Sequence, residues 1–224
     1  MDPNFLCLKL ENDFRLSLLD FINQLRKSSN KSDGKIFHSA EDKSVDVAAN
    51  SIVEGEMVGI SGSSVYGTDQ EEYGNIIYDT VADLIEVYVK KYYKESKSYK
   101  YFPTDCWYVV MKSGDFHKLH AHNNPYSHNS IGQLSGSIYL DIPENLPYPQ
   151  GAIEWVFTGA TDNLSNSSCE FSPKSGDVVL WPSWLRHHVY PFRGNKERIM
   201  ISFNGIWGEH MNVKHIKEGL KEIE

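Results

Sequence analysis

The sequence predicts a mainly β protein, a sandwich, jelly roll or barrel of antiparallel strands with two helices packed outside. Two features of the chain predict this. The first half contains two stretches whose apolar residues recur at three- and four-residue steps, the signature of amphipathic helices. The second half replaces that spacing with short runs rich in β-branched and aromatic residues, broken by Gly, Pro, Ser and Asn. No helical pattern separates those runs, so they favour antiparallel pairing over βαβ crossovers.

Residues 10 to 27 place Leu10, Phe14, Leu18, Leu19, Phe21, Ile22 and Leu25 near helical spacing, with Asn12 or Asp13 available as a cap. A second helix is expected from 76 to 93, where Ile77, Val81, Leu84, Ile85, Tyr88 and Val89 form the stripe. Between them, residues 28 to 75 are rich in Ser, Asn, Asp and Gly and read as loops, with one edge strand around Val58 to Ile60. The expected strands are 107–111, 134–142, 152–157, 177–181, 187–190 and 198–203. Both apolar stripes read as core.

The 224 residues suit one domain with a substantial core, and 40% hydrophobic with 23% charged residues is the balance of a folded globular chain. A net charge of −8 with no Lys/Arg block disfavours nucleic acid as a partner. No apolar run approaches the roughly 20 residues of a membrane helix, and the Met-Asp-Pro start lacks a signal region, so no membrane partner is expected. Cys7, Cys106 and Cys169 match neither a disulfide framework nor a zinc ribbon, and read as part-buried thiols in a reducing, cytoplasmic setting.

Nine histidines occur, and six fall between 117 and 188. His120 and His122 are two apart, so an extended Leu119 to His122 points both imidazoles to one face, where they can grip one ion. The alternative is a pair of ordinary polar strand residues. His187, at the start of an expected strand, is the candidate third ligand. Further on, alternation groups Arg198, Met200, Ser202 and Asn204 on one face and Ile199, Ile201 and Phe203 on the other. An inward guanidinium needs a carboxylate, which a dicarboxylate co-substrate would supply. Exposure of Arg198, or pairing with an acid such as Glu170, would also meet that need.

The order His120-X-His122, then Leu-Ser-Gly-Ser-Ile-Tyr-Leu at 134–140, Trp-Pro-Ser-Trp-Leu-Arg-His at 181–187 and Arg-Ile-Met-Ile-Ser-Phe-Asn at 198–204 resembles the 2-oxoglutarate-Fe(II) oxygenases related to prolyl hydroxylases. The resemblance spans roughly residues 105 to 208. It implies a double-stranded β-helix (jelly-roll, cupin-like) core at 105–208, a helical support region at 1–104 and a tail at 209–224, within one domain.

It further implies His120, His122 and His187 as ligands of Fe(II), with 2-oxoglutarate and O2 as co-substrates. Arg198 would hold the distal carboxylate of 2-oxoglutarate, with Tyr139 and Ser202 as weaker hydrogen-bonding candidates. His122 stands where the superfamily usually has a carboxylate, a His-X-His variant. No catalytic residue beyond the metal ligands is implied. The reaction would hydroxylate a C–H bond of a peptide side chain or small metabolite. A metal-binding barrel with 2-oxoglutarate-independent dioxygenase chemistry, or with a non-catalytic binding role, is the rival reading.

Of the other histidines, His117 is expected to point away from His120, and His188 away from His187, by strand alternation. His128, after Pro125, reads as a loop residue near the entrance. His38, His210 and His215 read as surface residues. Asp115 is a candidate to orient a ligand imidazole, and Trp107, Trp184 and Asn204 are expected to pack around the site.

Overall fold

The computed structural model describes residues 4–28, 56–59, 71–93, 99–122, 131–157 and 167–208. The readings of His38, His128, His210, His215 and the tail lie outside these residues. The elements run β1 (Leu6–Lys9), α1 (Asn12–Ser28), β2 (Glu56–Gly59), α2 (Glu71–Tyr92), β3 (Lys100–Met111), β4 (His117–His120), β5 (Ile131–Asp141), β6 (Ile153–Val156), β7 (Ser168–Phe171), β8 (Asp177–Pro182), β9 (Arg186–Val189) and β10 (Arg198–Gly208). They form a six-stranded sheet in the order β1-β8-β5-β10-β3-β2 and a four-stranded sheet in the order β4-β9-β6-β7. Every pairing is antiparallel. Among the described residues, no helix is long and apolar enough to cross a membrane.

Strand alternation divides the core into two layers. Ile138 and Leu140 of β5, Val178 and Leu180 of β8, and Ile199, Ile201 and Phe203 of β10 face the helices. There they meet Leu18, Phe21 and Ile22 of α1 and Val81, Ile85, Tyr88 and Val89 of α2. Each such aliphatic side chain, fully buried, contributes about 1.5–3 kcal/mol relative to exposure. Gly205 lets α2 approach β10, because a Cβ there would lie 2.3 Å from Ile85 Cδ1.

The opposite face of the large sheet presents Val109, Met111, Tyr139, Val179, Trp181 and Met200, which pack against Ile153, Trp155 and Val189 of the small sheet. This intersheet layer is where the site lies.

Sequence spacing located both helices and the antiparallel sheets, with differences in extent. α2 begins at Glu71, while β3 and β10 extend well beyond the expected 107–111 and 198–203. The extensions pair with each other, Gly205 to Gly208 against Pro103 to Lys100, so partner strands rather than local composition set their length. β1 and β7 were not expected, being four-residue edge strands with mixed patterning. Ile142 leaves the Ile138/Leu140 face and joins the intersheet layer, because β5 ends at Asp141. Cys7 and Cys169 are exposed and only Cys106 is part-buried, all three free, so the expectation of three part-buried thiols is corrected by the edge positions of β1 and β7.

Candidate metal centre

Three histidines converge from two strands and the extended segment that follows the first of them. Pairing of β4 with β9 sets His120 directly opposite His187, and residues opposite each other in an antiparallel pair share a face. β4 ends at His120, but the chain stays extended enough to return His122 to that face, tied by its N–H to Ser183 O at 3.0 Å. One ring nitrogen from each of His120, His122 and His187 lies within 4.8 Å of the others. Ring centroids of His120 and His187 are 4.3 Å apart, and those of His122 and His187 5.2 Å.

The second nitrogen of each ring is committed elsewhere. His120 Nδ1 lies 2.6 Å from Lys118 O, and His187 Nδ1 lies 3.0 Å from Leu185 O. A carbonyl can only accept, so both rings carry their proton on Nδ1 and leave the Nε2 lone pair free for an ion. His122 Nδ1 meets Asn204 Oδ1 at 2.8 Å, which selects the same tautomer. Ser135 Oγ is 2.8 Å from that oxygen and 3.0 Å from Ser183 Oγ. Having one proton, Ser135 donates to Asn204 and accepts from Ser183, whose carbonyl already anchors the His122 backbone. Trp107 stacks on the His122 ring with centroids 5.8 Å apart.

Burial makes these imidazoles poor bases. His122 is pushed down to about 3, chiefly by desolvation and then by His120, with the Asn204 bond opposing. Desolvation also lowers His120, and His187 more strongly, with His120 and His122 adding to the effect on His187. Neutral imidazole is the form that binds a metal. The unfolded chain protonates its histidines near pH 6.5, whereas folded His122 resists protonation down to about 3. Through that window the unfolded state binds more protons, so stability falls as the pH falls. Urea unfolding of the metal-free protein is expected to show a plateau above pH 7 and a steady loss from about pH 6.5 downward, flattened in His122→Gln; equal stability at pH 7 and pH 5 would contradict these environments.

Arg198 opens β10 on the same intersheet face and is fully buried. Its Nη1 lies 3.2 Å from Met111 Sδ, and its guanidinium carbon 5.3 Å from the centroid of the Tyr139 ring. Nε and Nη2 meet no acceptor in good hydrogen-bond geometry; the buried Tyr139 hydroxyl beside them interacts only loosely with the guanidinium and with Ser137. No carboxylate pairs with Arg198 among the described residues, which removes the Glu170 alternative. A buried charge left this way costs several kcal/mol. Ser202 is buried too, but its Oγ is 3.3 Å from Ser137 Oγ and already partnered.

Four readings of flanking residues change. Trp184 is 62% exposed, so it does not pack around the site, and Asn204 is a hydrogen-bonding partner of a ligand candidate rather than a packing residue. Asp115 accepts the Lys112 N–H at 2.7 Å and closes a turn, far from any imidazole role. His117 is buried on the inner face with its ring centroid 6.1 Å from that of His120, where alternation had put it outside. The register of β4 against β9 shifts between His117 and His120, and that irregularity turns two residues three apart toward one face. His188 does alternate outward and lies 2.8 Å from Glu154 Oε2. No sequence signal marks the β4 irregularity or the Ser135–Ser183 link.

Residues 105–204 match a protein-family model described as "Putative 2OG-Fe(II) oxygenase". No curated protein sequence matches the chain. A prolyl-4-hydroxylase from Pseudomonas putida aligns with a TM-score of 0.55 at 13% identity, covering 93% of this chain and 94% of its own. The prolyl hydroxylase of Trichoplax adhaerens, solved with a hypoxia inducible factor oxygen degradation domain peptide fragment, gives 0.58 at 15% identity over 92% and 84%. HygX from Streptomyces hygroscopicus, solved with nickel and 2-oxoglutarate, gives 0.56 at 10% over 93% and 84%. At such identities the likeness speaks for the fold, the double-stranded β-helix. Residues 105–204, which hold His120, His122, His187 and Arg198, are thus the part of the chain that is similar to the 2OG-Fe(II) oxygenases, on a fold shared with prolyl hydroxylases.

Proposed function

We propose that this protein hydroxylates a C–H bond of a peptide side chain or small metabolite, using Fe(II), O2 and 2-oxoglutarate and releasing succinate and CO2. The observation that carries the proposal is a cluster of three neutral imidazoles in one intersheet layer with a buried guanidinium that has no carboxylate partner. The donor set fits a divalent ion, and the orphaned nitrogens of Arg198 fit the far end of a dicarboxylate.

Bound together, ferrous iron, 2-oxoglutarate and O2 supply an oxidant that puts one oxygen atom into the substrate and the other into succinate as CO2 leaves. The chain's own work is positional. His120, His122 and His187 would hold the metal, each fixed in the Nδ1–H tautomer by Lys118 O, Asn204 Oδ1 and Leu185 O. Arg198 would grip the distal carboxylate through its fork, aided by the Tyr139 hydroxyl. Val109, Met111, Trp155 and Met200 keep water from the layer around them.

A three-histidine dioxygenase that needs no co-substrate would leave Arg198 buried without purpose, so it is the weaker reading. The peptide fragment bound to the Trichoplax enzyme keeps a peptide side chain among the substrate classes. Anaerobic titration with Fe(II) and then 2-oxoglutarate is expected to give the visible metal-to-ligand charge-transfer absorption of a chelated 2-oxo acid. Its absence at saturating concentrations would sink the proposal.

A further inference from the structure

We infer that His117 is a third co-substrate contact, its Nε2–H donating to an oxygen of 2-oxoglutarate in the space shared by the three-histidine cluster and Arg198. The inference rests on the co-substrate reading above. It begins with placement. His117 lies opposite Val189 in the β4–β9 pairing and therefore shares its face. Val189 belongs to the intersheet layer with Met111, Tyr139 and Met200, so His117 looks into the same chamber as Arg198.

The chemistry follows from what His117 lacks. It is 8% exposed, and its Nε2 is buried without a hydrogen-bond partner. Leaving such a group unsatisfied costs about 1–3 kcal/mol. The charged and titratable groups that act on it are His120, Arg198 and His122, with no carboxylate among them. An imidazole can present an N–H at Nε2, so His117 offers a donor there.

The other orphaned polar atoms of this layer all belong to groups that donate. They are Arg198 Nε and Nη2, Trp155 Nε1 and Trp181 Nε1, and beside them the Tyr139 hydroxyl is held only loosely by Ser137 and Arg198. A chamber lined with unanswered donors calls for a ligand rich in acceptors. A 2-oxo dicarboxylate carries five oxygens, more than the metal and Arg198 engage, and His117 stands where it can meet one of the remainder.

The test uses the full chain loaded with Zn(II), which binds without turnover, and reads 2-oxoglutarate affinity by calorimetry beside metal content. His117→Phe keeps the ring and removes the donor; His117→Leu is a second donor-free variant should the first not fold; His117→Asn restores an N–H. The donor-free variants are expected to bind 2-oxoglutarate about 10-fold or more weakly at unchanged metal stoichiometry, with His117→Asn recovering most of the loss. Equal affinity in the wild type and His117→Phe would overturn the inference alone, as would loss of metal or failure of His117→Asn to recover binding. A wild-type protein that binds metal but no 2-oxoglutarate would overturn the co-substrate reading, and this inference with it.

Discussion

His187→Ala and His122→Ala are each expected to abolish stoichiometric metal binding in the purified, identically loaded protein. Each histidine supplies one of the three ring nitrogens that lie within 4.8 Å of one another, and two imidazoles alone leave the ion largely to water. The loss should exceed the roughly 10- to 100-fold in metal affinity that follows when only a ligand's supporting partner is removed. Asn204→Leu provides that milder case. It frees His122 Nδ1 from its 2.8 Å acceptor, so the ring populates the tautomer whose Nε2 carries the proton, and affinity should fall by about 10- to 100-fold. His128→Ala, by contrast, is expected to stay fully loaded. Metal analysis decides the matter: a metal-free His128→Ala beside a loaded His122→Ala would reassign the triad.

Arg198→Met should weaken 2-oxoglutarate binding while leaving the metal in place, because in the proposed function the guanidinium grips the co-substrate and not the ion. Loss of one charge-assisted contact corresponds to about 1.5–3 kcal/mol, or roughly 10- to 100-fold or more in affinity. A second effect has the opposite sign. In the ligand-free protein the guanidinium is fully buried beside Met111 and Tyr139 with two unsatisfied nitrogens, so an apolar side chain of similar length removes a desolvation cost. The variant is expected to melt at or above the wild-type temperature without 2-oxoglutarate, and to lose the ligand-induced rise that the wild type shows. At 100 times Kd that rise corresponds to about 2.7 kcal/mol for a single site. Undiminished 2-oxoglutarate affinity in Arg198→Met would refute the assignment of Arg198.

These two sites were legible in the chain to different degrees. His120 and His187 are found by spacing and by ordered motifs, since strand alternation alone brings such residues to one face. Arg198 was legible as an inward residue through its alternation with Ile199, Ile201 and Phe203, and the two core layers follow that division. Whether it had a protein partner was not, because the acids that could reach it lie on other strands. His117 failed for a definite reason. Alternation assumes an unbroken strand, and the register shift between His117 and His120 depends on what β9 offers across the ladder.

By itself, then, the sequence determined the local terms: two amphipathic helices, strands with one face toward each core layer, three imidazoles and a guanidinium in a recognisable order. These follow from side-chain periods of 3.6 and 2, which need no knowledge of distant residues. Tertiary structure decided the rest. It set the length of β3 and β10 through their mutual pairing, and the ring tautomers through acceptors at Lys118, Leu185 and Asn204. It also chose which buried groups would lack a partner, Arg198 and His117 among them. The physical reason is that hydrogen-bond satisfaction and burial are properties of pairs brought together across long stretches of chain, and no local pattern encodes the partner that is missing.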